Sequence, residues 1–158
     1  MSDSQTGAGQ SENNAGVTEQ KVSDLEGMLN ELHSAFASRD LDKIMSFYAE
    51  DCIIDDVFTG EEIRGKLGME MQIKRKLDAL SDLKITLKNI VISGNRVAGE
   101  YVISGTYTGS YGPATGRYIA IPMALFYEIQ DGKIKRMIDY YERLKVLHHL
   151  GMISVQKS

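Results

Sequence analysis

Three carboxylates lie within apolar stretches of this sequence and could transfer protons. Asp56 closes the run CIIDD, Glu100 lies in AGEYV, and Asp139 lies in KRMIDYY. An acid among apolar neighbours is costly unless it is paired or put to use, and burial raises its pKa toward the range of a general acid or base. If two of these acids converge in the fold, one can act as the base and the other as the acid.

Aromatic and thioether side chains near these acids could form the walls of a pocket. Tyr48, Tyr101 and Tyr141 can supply hydroxyl donors together with apolar surface. Met71 and Met137 can fill irregular gaps. These five are the candidate substrate-binding residues. The plainer alternatives remain open, because an acid here can be solvated or paired with an arginine, and a methionine at helical spacing is often ordinary core.

The hydrophobic pattern predicts the elements that must position these side chains. Apolar residues at helical spacing predict helices over residues 23–36, 40–47, 67–80 and 143–150. Ser23 or Asp24 can cap the first helix and Asp40 the second. Strand patterns cover residues 52–58, 83–92, 97–108, 117–130 and 133–142. Turn signals at residues 93–96 and at Asp131-Gly132 predict hairpins between the later strands.

This order of elements predicts an α+β fold in which helices pack on one face of a strongly bent, mostly antiparallel sheet. A bent sheet closed on one side by helices encloses a cone, and the mouth of the cone is a natural small-molecule site. Adjacent residues of a strand point to opposite faces, so one of Asp55 and Asp56 can face the enclosed space while the other faces solvent.

The composition argues against several functional classes. The net charge is −4 without a dense Lys/Arg run, which disfavours nucleic acid and anionic membrane as partners. A single cysteine, Cys52, excludes an internal disulfide and is expected to be a buried, inert thiol. No glycine-rich phosphate loop or zinc spacing appears, so neither a cofactor nor a metal site is expected. His148 and His149 are expected at the surface, and His33 at a partly exposed position, with a neutral buried histidine as the alternative there.

Residues 1–20 are rich in Ser, Gly, Asn and Gln and are predicted to be a disordered tail. A single domain is then expected over residues 21–152, followed by a short tail, residues 153–158. No apolar run approaches the roughly 20 residues that a membrane helix needs. The first residues lack a signal-peptide pattern, so a cytoplasmic location is expected.

Three segments resemble the nuclear transport factor 2-like superfamily, whose fold is a cone-shaped α+β barrel. ASRDLDKIMSFYAEDCIIDD, residues 37–56, resembles the entry into the catalytic strand of ketosteroid isomerases, whose catalytic Asp falls on Asp56. GTYTGSYGPATGRYIAI, residues 105–121, resembles SnoaL-like polyketide cyclases. DGKIKRMIDYYERLKVLHHLG, residues 131–151, resembles the closing strand of those cyclases and of limonene epoxide hydrolases, whose catalytic Asp falls on Asp139.

The resemblance implies a cofactor-independent isomerase or cyclase acting on an apolar polyketide-, steroid- or terpenoid-like molecule. Asp56 would be the base, and Asp139 the second acid/base or the orienting group. The resemblance also implies a homodimer through the outer face of the sheet, with which the apolar run 119–129 agrees.

Departures from these families keep two alternatives open. The oxyanion pair of ketosteroid isomerases falls near Leu32 and near Met123 or Ala124, and the Arg-x-Asp pair of limonene epoxide hydrolases is missing around Glu100. The first alternative is therefore a non-catalytic ligand-binding or assembly module. The second is epoxide hydrolysis without the usual arginine.

Overall fold

The computed structural model describes residues 9–57, 59–154 and 156. The chain divides into two compact units, Met1–Glu31 and Leu32–Ser158. Helix α1 covers Gly9–Ala37.

The predicted start of the first helix is wrong, because α1 continues far ahead of Ser23 and Asp24. Asp24 does not act as a cap: its carboxylate accepts a hydrogen bond from the Gln20 amide one turn earlier, at 2.8 Å. Residues 9–20, predicted as a disordered tail, are helical, and residues 1–8 lie outside the described residues. The predicted domain boundaries stay a prediction.

The second unit contains the other elements, in the predicted order with one addition. They are α2 (Leu41–Ser46), β1 (Tyr48–Asp56), β2 (Glu61–Arg64), α3 (Gly65–Ala79), β3 (Lys84–Ser93), β4 (Arg96–Thr106), β5 (Tyr118–Gln130), β6 (Lys133–Tyr141) and α4 (Arg143–His149). The addition is β2, which lies where a loop was predicted. Strand β1 begins earlier than predicted, and the predicted last residue of that strand, Phe58, lies outside the described residues. The α+β fold class is confirmed.

The six strands form one curled, unclosed sheet in the order β2-β1-β6-β5-β4-β3. Neighbouring strands are antiparallel except β1 and β6, which pair in parallel. This parallel pair places the first strand of the sheet beside the last one in sequence. As a result, Asp56 lies directly beside Asp139 in the register of the two strands.

Local signals account for the ends of several elements. The Asp40 carboxylate accepts the backbone N–H of Lys43 at 3.0 Å, which confirms Asp40 as the cap of α2. The β5–β6 hairpin turns at Asp131 and Gly132, whose φ values of 51° and 70° are those of the tight turn that the dipeptide predicts. The Arg39 guanidinium donates to the carbonyls of Leu77 and Leu80, at 2.9 and 3.0 Å, and satisfies the end of α3.

Strands β4, β5 and β6 have a buried inner face and a more exposed outer face. The alternation is strict along β5, where every second residue is buried. The inner face of β5 consists of Ile119, Ile121, Met123, Leu125, Tyr127 and Ile129. The outer face of the same strand includes Pro122 and Phe126. Cys52 of β1 is fully buried, as predicted, and burial raises the pKa of its thiol.

Candidate functional site

A cavity of about 340 Å³ lies in the second unit, bounded by α3, α4 and the inner face of β4–β6. Its volume falls in the range of small-molecule sites. Leu80, Ile121, Met123 and Leu147 are part of its apolar wall. The polar and charged side chains that line it are Thr59, Arg75, Lys76, Tyr107, Tyr111, Asp139, Tyr141 and Arg143.

Asp139 is the acid in the wall of this cavity. It is 5% exposed, and its Oδ1 has no hydrogen-bond partner among the described residues. The backbone N–H of Val57 hydrogen-bonds to the carboxylate. Burial raises the pKa of Asp139, the positive charge of Lys76 opposes this, and the negative charge of Asp56 adds to it. A buried carboxyl with one unpaired oxygen can exchange a proton with a ligand.

Asp56 lies beside Asp139 on the neighbouring strand. The two residues are register partners across β1 and β6, and neighbouring strands lie about 4.8 Å apart. Asp56 is half-buried, accepts the backbone N–H of Thr59 at 3.3 Å, and is not a lining residue of the cavity. The structure therefore brings the two predicted catalytic acids together, with Asp139 the one that faces the cavity.

Three tyrosines line the cavity, and two of them, Tyr111 and Tyr141, lie close enough to Asp56 and Asp139 for the acids to raise their pKa values. Burial raises the pKa of Tyr141, and the nearby charges of Asp56 and Asp139 raise it further. Tyr141 therefore stays protonated and can donate a hydrogen bond. Tyr107 is buried and fixes the following loop, because its hydroxyl accepts the backbone N–H of Tyr111 at 3.1 Å.

Tyr48, Tyr101 and Met137 are buried, but none of them is a lining residue of this cavity. The Tyr48 hydroxyl lies 3.9 Å from the Met137 sulfur. The Tyr101 ring lies over Gly99, where an added Cβ would come within 2.5 Å of the ring. These three predicted substrate-binding residues are therefore part of the core of the unit.

Two predicted site residues face solvent. Glu100 is exposed on the outer face of β4, because the inner face takes its neighbours Gly99 and Tyr101. Met71 is 66% exposed, because the buried face of α3 passes through Met69 and Ile73. Their predicted inward positions, Glu100 as a catalytic acid and Met71 as a pocket wall, are wrong.

His33 is 8% exposed, so it takes the buried alternative and not the partly exposed position that was favoured from the sequence. Its ring packs edge-on against Tyr101 with 5.1 Å between the ring centres. Burial lowers the pKa of His33 to about 4, which favours the neutral imidazole. His33 Nε2 and the Tyr101 hydroxyl have no hydrogen-bond partner within the described part of the chain.

The sequence interpretation missed the cationic residues at the cavity. Lys76 and Arg75 lie near the end of α3, and Arg143 begins α4. The Arg75 guanidinium lies over the ring of Tyr111, 4.3 Å from its centre. One signal for Lys76 was present, because it lies three and four residues before Ala79 and Leu80, which also line the cavity.

Among residues 9–57, 59–154 and 156, no group of three or more His, Cys, Asp or Glu side chains could hold a metal ion. No helix in the same residues is long and apolar enough to cross a membrane. The predicted cytoplasmic location stays a prediction.

The fold and the cavity define a protein of the nuclear transport factor 2-like superfamily. Within it, the chain belongs to the SnoaL-like domain family, whose sequence profile matches residues 29–137, more than half of the chain. The expected resemblance is thus confirmed at the level of the family. A search of curated proteins found no match.

Solved structures with related folds cover most of the chain. A candidate polyketide cyclase from Xanthomonas campestris is 27% identical with a TM-score of 0.68, over 81% of this chain and 97% of its own. A protein of ketosteroid isomerase-like fold from Catenulispora acidiphila is 20% identical with a TM-score of 0.70, over 80% and 93%. An LEH-like epoxide hydrolase from M. tuberculosis is 16% identical with a TM-score of 0.66, over 81% and 90%. At 20% and 16% identity, the last two proteins are similar to this chain in fold alone.

Proposed function

We propose that the cavity holds an apolar, carbonyl-bearing small molecule and that its carboxylates catalyse proton transfer on that molecule without a cofactor. The reaction class is isomerisation or aldol-type cyclisation. One observation carries the proposal: the unpaired Oδ1 of Asp139, buried in the wall of a largely apolar cavity. Similarity to a candidate polyketide cyclase agrees with this class of substrate.

Asp139 takes the leading catalytic role in this proposal, with Asp56 beside it. The negative charge of Asp56 adds to the rise in the pKa of Asp139 that burial causes. Asp139 contributes to the cavity wall and Asp56 does not, which favours Asp139 as the group that touches the ligand. Asp56, predicted as the base, becomes a neighbouring acid that acts through Asp139 and does not touch the ligand. Tyr141 donates a hydrogen bond from the same wall.

The test is proton exchange at carbon next to a carbonyl. We expect the protein to accelerate exchange of the α-protons of 2-tetralone for deuterium in D₂O, followed by NMR. An Asp139→Asn variant keeps the shape of the side chain and should slow this exchange about 100-fold or more, the usual contribution of a general acid or base.

Glu100→Gln is the matched control, because it removes an acid from the exposed outer face of the same sheet. It should leave the exchange rate unchanged. Full exchange activity in Asp139→Asn would show that Asp139 is not the general acid or base. An equal loss of activity in both variants would point to a general effect of charge.

Ligand binding without catalysis is the second candidate function. It is favoured by one observation, that Leu32 and Met123 are buried apolar residues near the positions where ketosteroid isomerases carry their oxyanion donors. In that case 2-tetralone would bind in the cavity, as shown by calorimetry, while its α-protons exchange at the rate of the buffer.

We also propose that two copies associate through the outer face of the sheet. Tyr118 and Phe126 of β5 and Tyr140 of β6 expose large apolar surfaces there, 66%, 45% and 46% of each residue. Phe126 and Tyr140 pack edge-on with 5.7 Å between ring centres, so part of this surface is contiguous. Contiguous exposed apolar surface of this kind is typical of an interface.

A further inference from the structure

The charged side chains at the cavity are mostly cationic, although the chain as a whole carries a net charge of −4. Arg75, Lys76 and Arg143 line it, and Asp139 is the lining acid within the described residues. Burial raises the pKa of Asp139, which favours its neutral form. Asp56 adds one negative charge from outside the lining set. The lining set therefore holds more cationic than acidic side chains, and clefts lined mainly by one sign of charge concentrate ligands of the opposite charge.

Lys76 differs from its neighbour Lys74 on the same helix. The Lys74 ammonium pairs with the Glu70 carboxylate one turn away, at 2.5 Å. Lys76 is half-buried and has no ion pair among the residues that the structure describes. Its charge is directed at the cavity, where it opposes the rise of the Asp139 pKa.

Glu142, the acid next to Arg143 in sequence, caps α4. The two carboxylate oxygens of Glu142 accept the backbone N–H groups of Leu144 and Lys145, at 3.0 and 2.8 Å, and cap α4. Glu142 is also outside the lining set. Glu142 therefore adds no negative charge to the cavity wall.

We propose that the ligand of this cavity is an amphipathic carboxylate. Its apolar body packs against Ile121, Met123 and Leu147, and its carboxylate lies beside the Lys76 ammonium. This inference rests on the proposed function, because it assumes that the cavity holds an apolar small molecule. It narrows that molecule to compounds that combine an apolar body with a carboxylate.

The test compares three probes with one eight-carbon chain and different head groups: octanoate, 1-octanol and octylamine. Isothermal titration calorimetry at low ionic strength should show octanoate binding about tenfold or more tightly than octanol, the range expected of a charged hydrogen bond. Octylamine should bind most weakly. Lys76→Met keeps the apolar stem and should reduce the preference for octanoate over octanol to less than about threefold.

Lys74→Met is the matched control, since it removes a charge from the same helix outside the cavity. It should leave the octanoate preference intact. Methyl NMR locates the bound probe: the resonances of Met123 and Met152, which line the cavity, should shift, and that of the exposed Met71 should not.

The outcomes separate this inference from the proposed function. Octanol binding in the cavity as tightly as octanoate would overturn the inference and leave the proposed function standing. An equal loss of octanoate binding in Lys74→Met and Lys76→Met would also overturn it, because the effect would then come from overall charge. If neither octanoate nor octanol shifts Met123 and Met152, the inference fails and so does the cavity's role as an apolar ligand site.

Discussion

Acidic residues on the two faces of the sheet differ in whether their carboxylates are paired. On the exposed side, the Asp55 carboxylate of β1 is held by the Arg136 guanidinium of β6, with Nε at 3.0 Å. On the buried side of the same two strands, Asp139 keeps one oxygen without a partner in the described residues. An ion pair near solvent contributes little to the stability of the fold. A buried acid with one unpaired oxygen lowers that stability. Buried ionisable groups that lower stability in this way are common at functional sites.

Apolar residues show the same contrast between the faces. Inner-face residues such as Ile134 are fully buried, while Phe126 on the outer face is 45% exposed. The inner face therefore stabilises the single chain, and the outer face is available to a second copy. Three measurements, given from the largest expected effect to the smallest, test this division.

Removing side-chain volume from the inner face should lower the free energy of unfolding the most. Ile134→Ala should lower the free energy of unfolding by about 2–5 kcal/mol, because a fully buried side chain leaves a cavity. Urea unfolding followed by circular dichroism measures the change. A loss below about 1 kcal/mol would show that this part of the inner face is loosely packed.

His33 should make the stability of the inner side depend on pH. Its pKa is lowered from 6.5 to about 4 in the folded chain, so the unfolded chain binds a proton first as the pH falls. Stability is therefore lost between pH 6.5 and 4, by on the order of 3 kcal/mol at the acid end. His33→Leu should remove this part of the acid loss in urea unfolding at several pH values.

His148→Gln is the control for this measurement, because His148 is exposed on α4. It should leave the pH dependence as it is in the original chain. If His33→Leu loses as much stability as the original chain over this range, the imidazole is not held in its neutral form.

Substitution on the outer face should lower the free energy of unfolding of the monomer the least. Phe126→Ala should lower the free energy of unfolding by less than about 1 kcal/mol at low protein concentration, because the side chain is already 45% exposed. The same variant should weaken the proposed dimer, as measured by sedimentation equilibrium at micromolar concentrations. A wild-type chain that sediments as a monomer there would contradict the dimer.

Much of the fold follows from local patterns. Strand patterns predicted β3 to β6, the Asp131-Gly132 turn predicted their last hairpin, and Asp40 predicted the start of α2. Two features had no local signal. The short strand β2 exists because it pairs with β1, and the β1–β6 pairing joins segments about 80 residues apart. Long-range pairing of this kind leaves no mark in the hydrophobic period of either segment.

The candidate site could be predicted where the alternation of side chains along a strand decides which residues share a face. Asp139 and Tyr141 are two residues apart on one strand, so they share a face, and both line the cavity. Glu100 and Tyr101 are adjacent on β4 and cannot both point inward, so one of the two predictions had to be wrong. Lys76 was missed because an exposed helix lysine and a cavity lysine look alike in sequence.

The parallel pairing of β1 with β6 has a consequence for folding. Asp56 and Asp139 become neighbours only when strands from opposite halves of the chain meet. Contacts of such high sequence separation carry the loop-closure entropy of the whole intervening chain and slow the folding of a domain. During synthesis, the acid pair therefore cannot assemble until β6 has left the ribosome. An incomplete chain that ends before β6 therefore lacks the neighbouring acid pair.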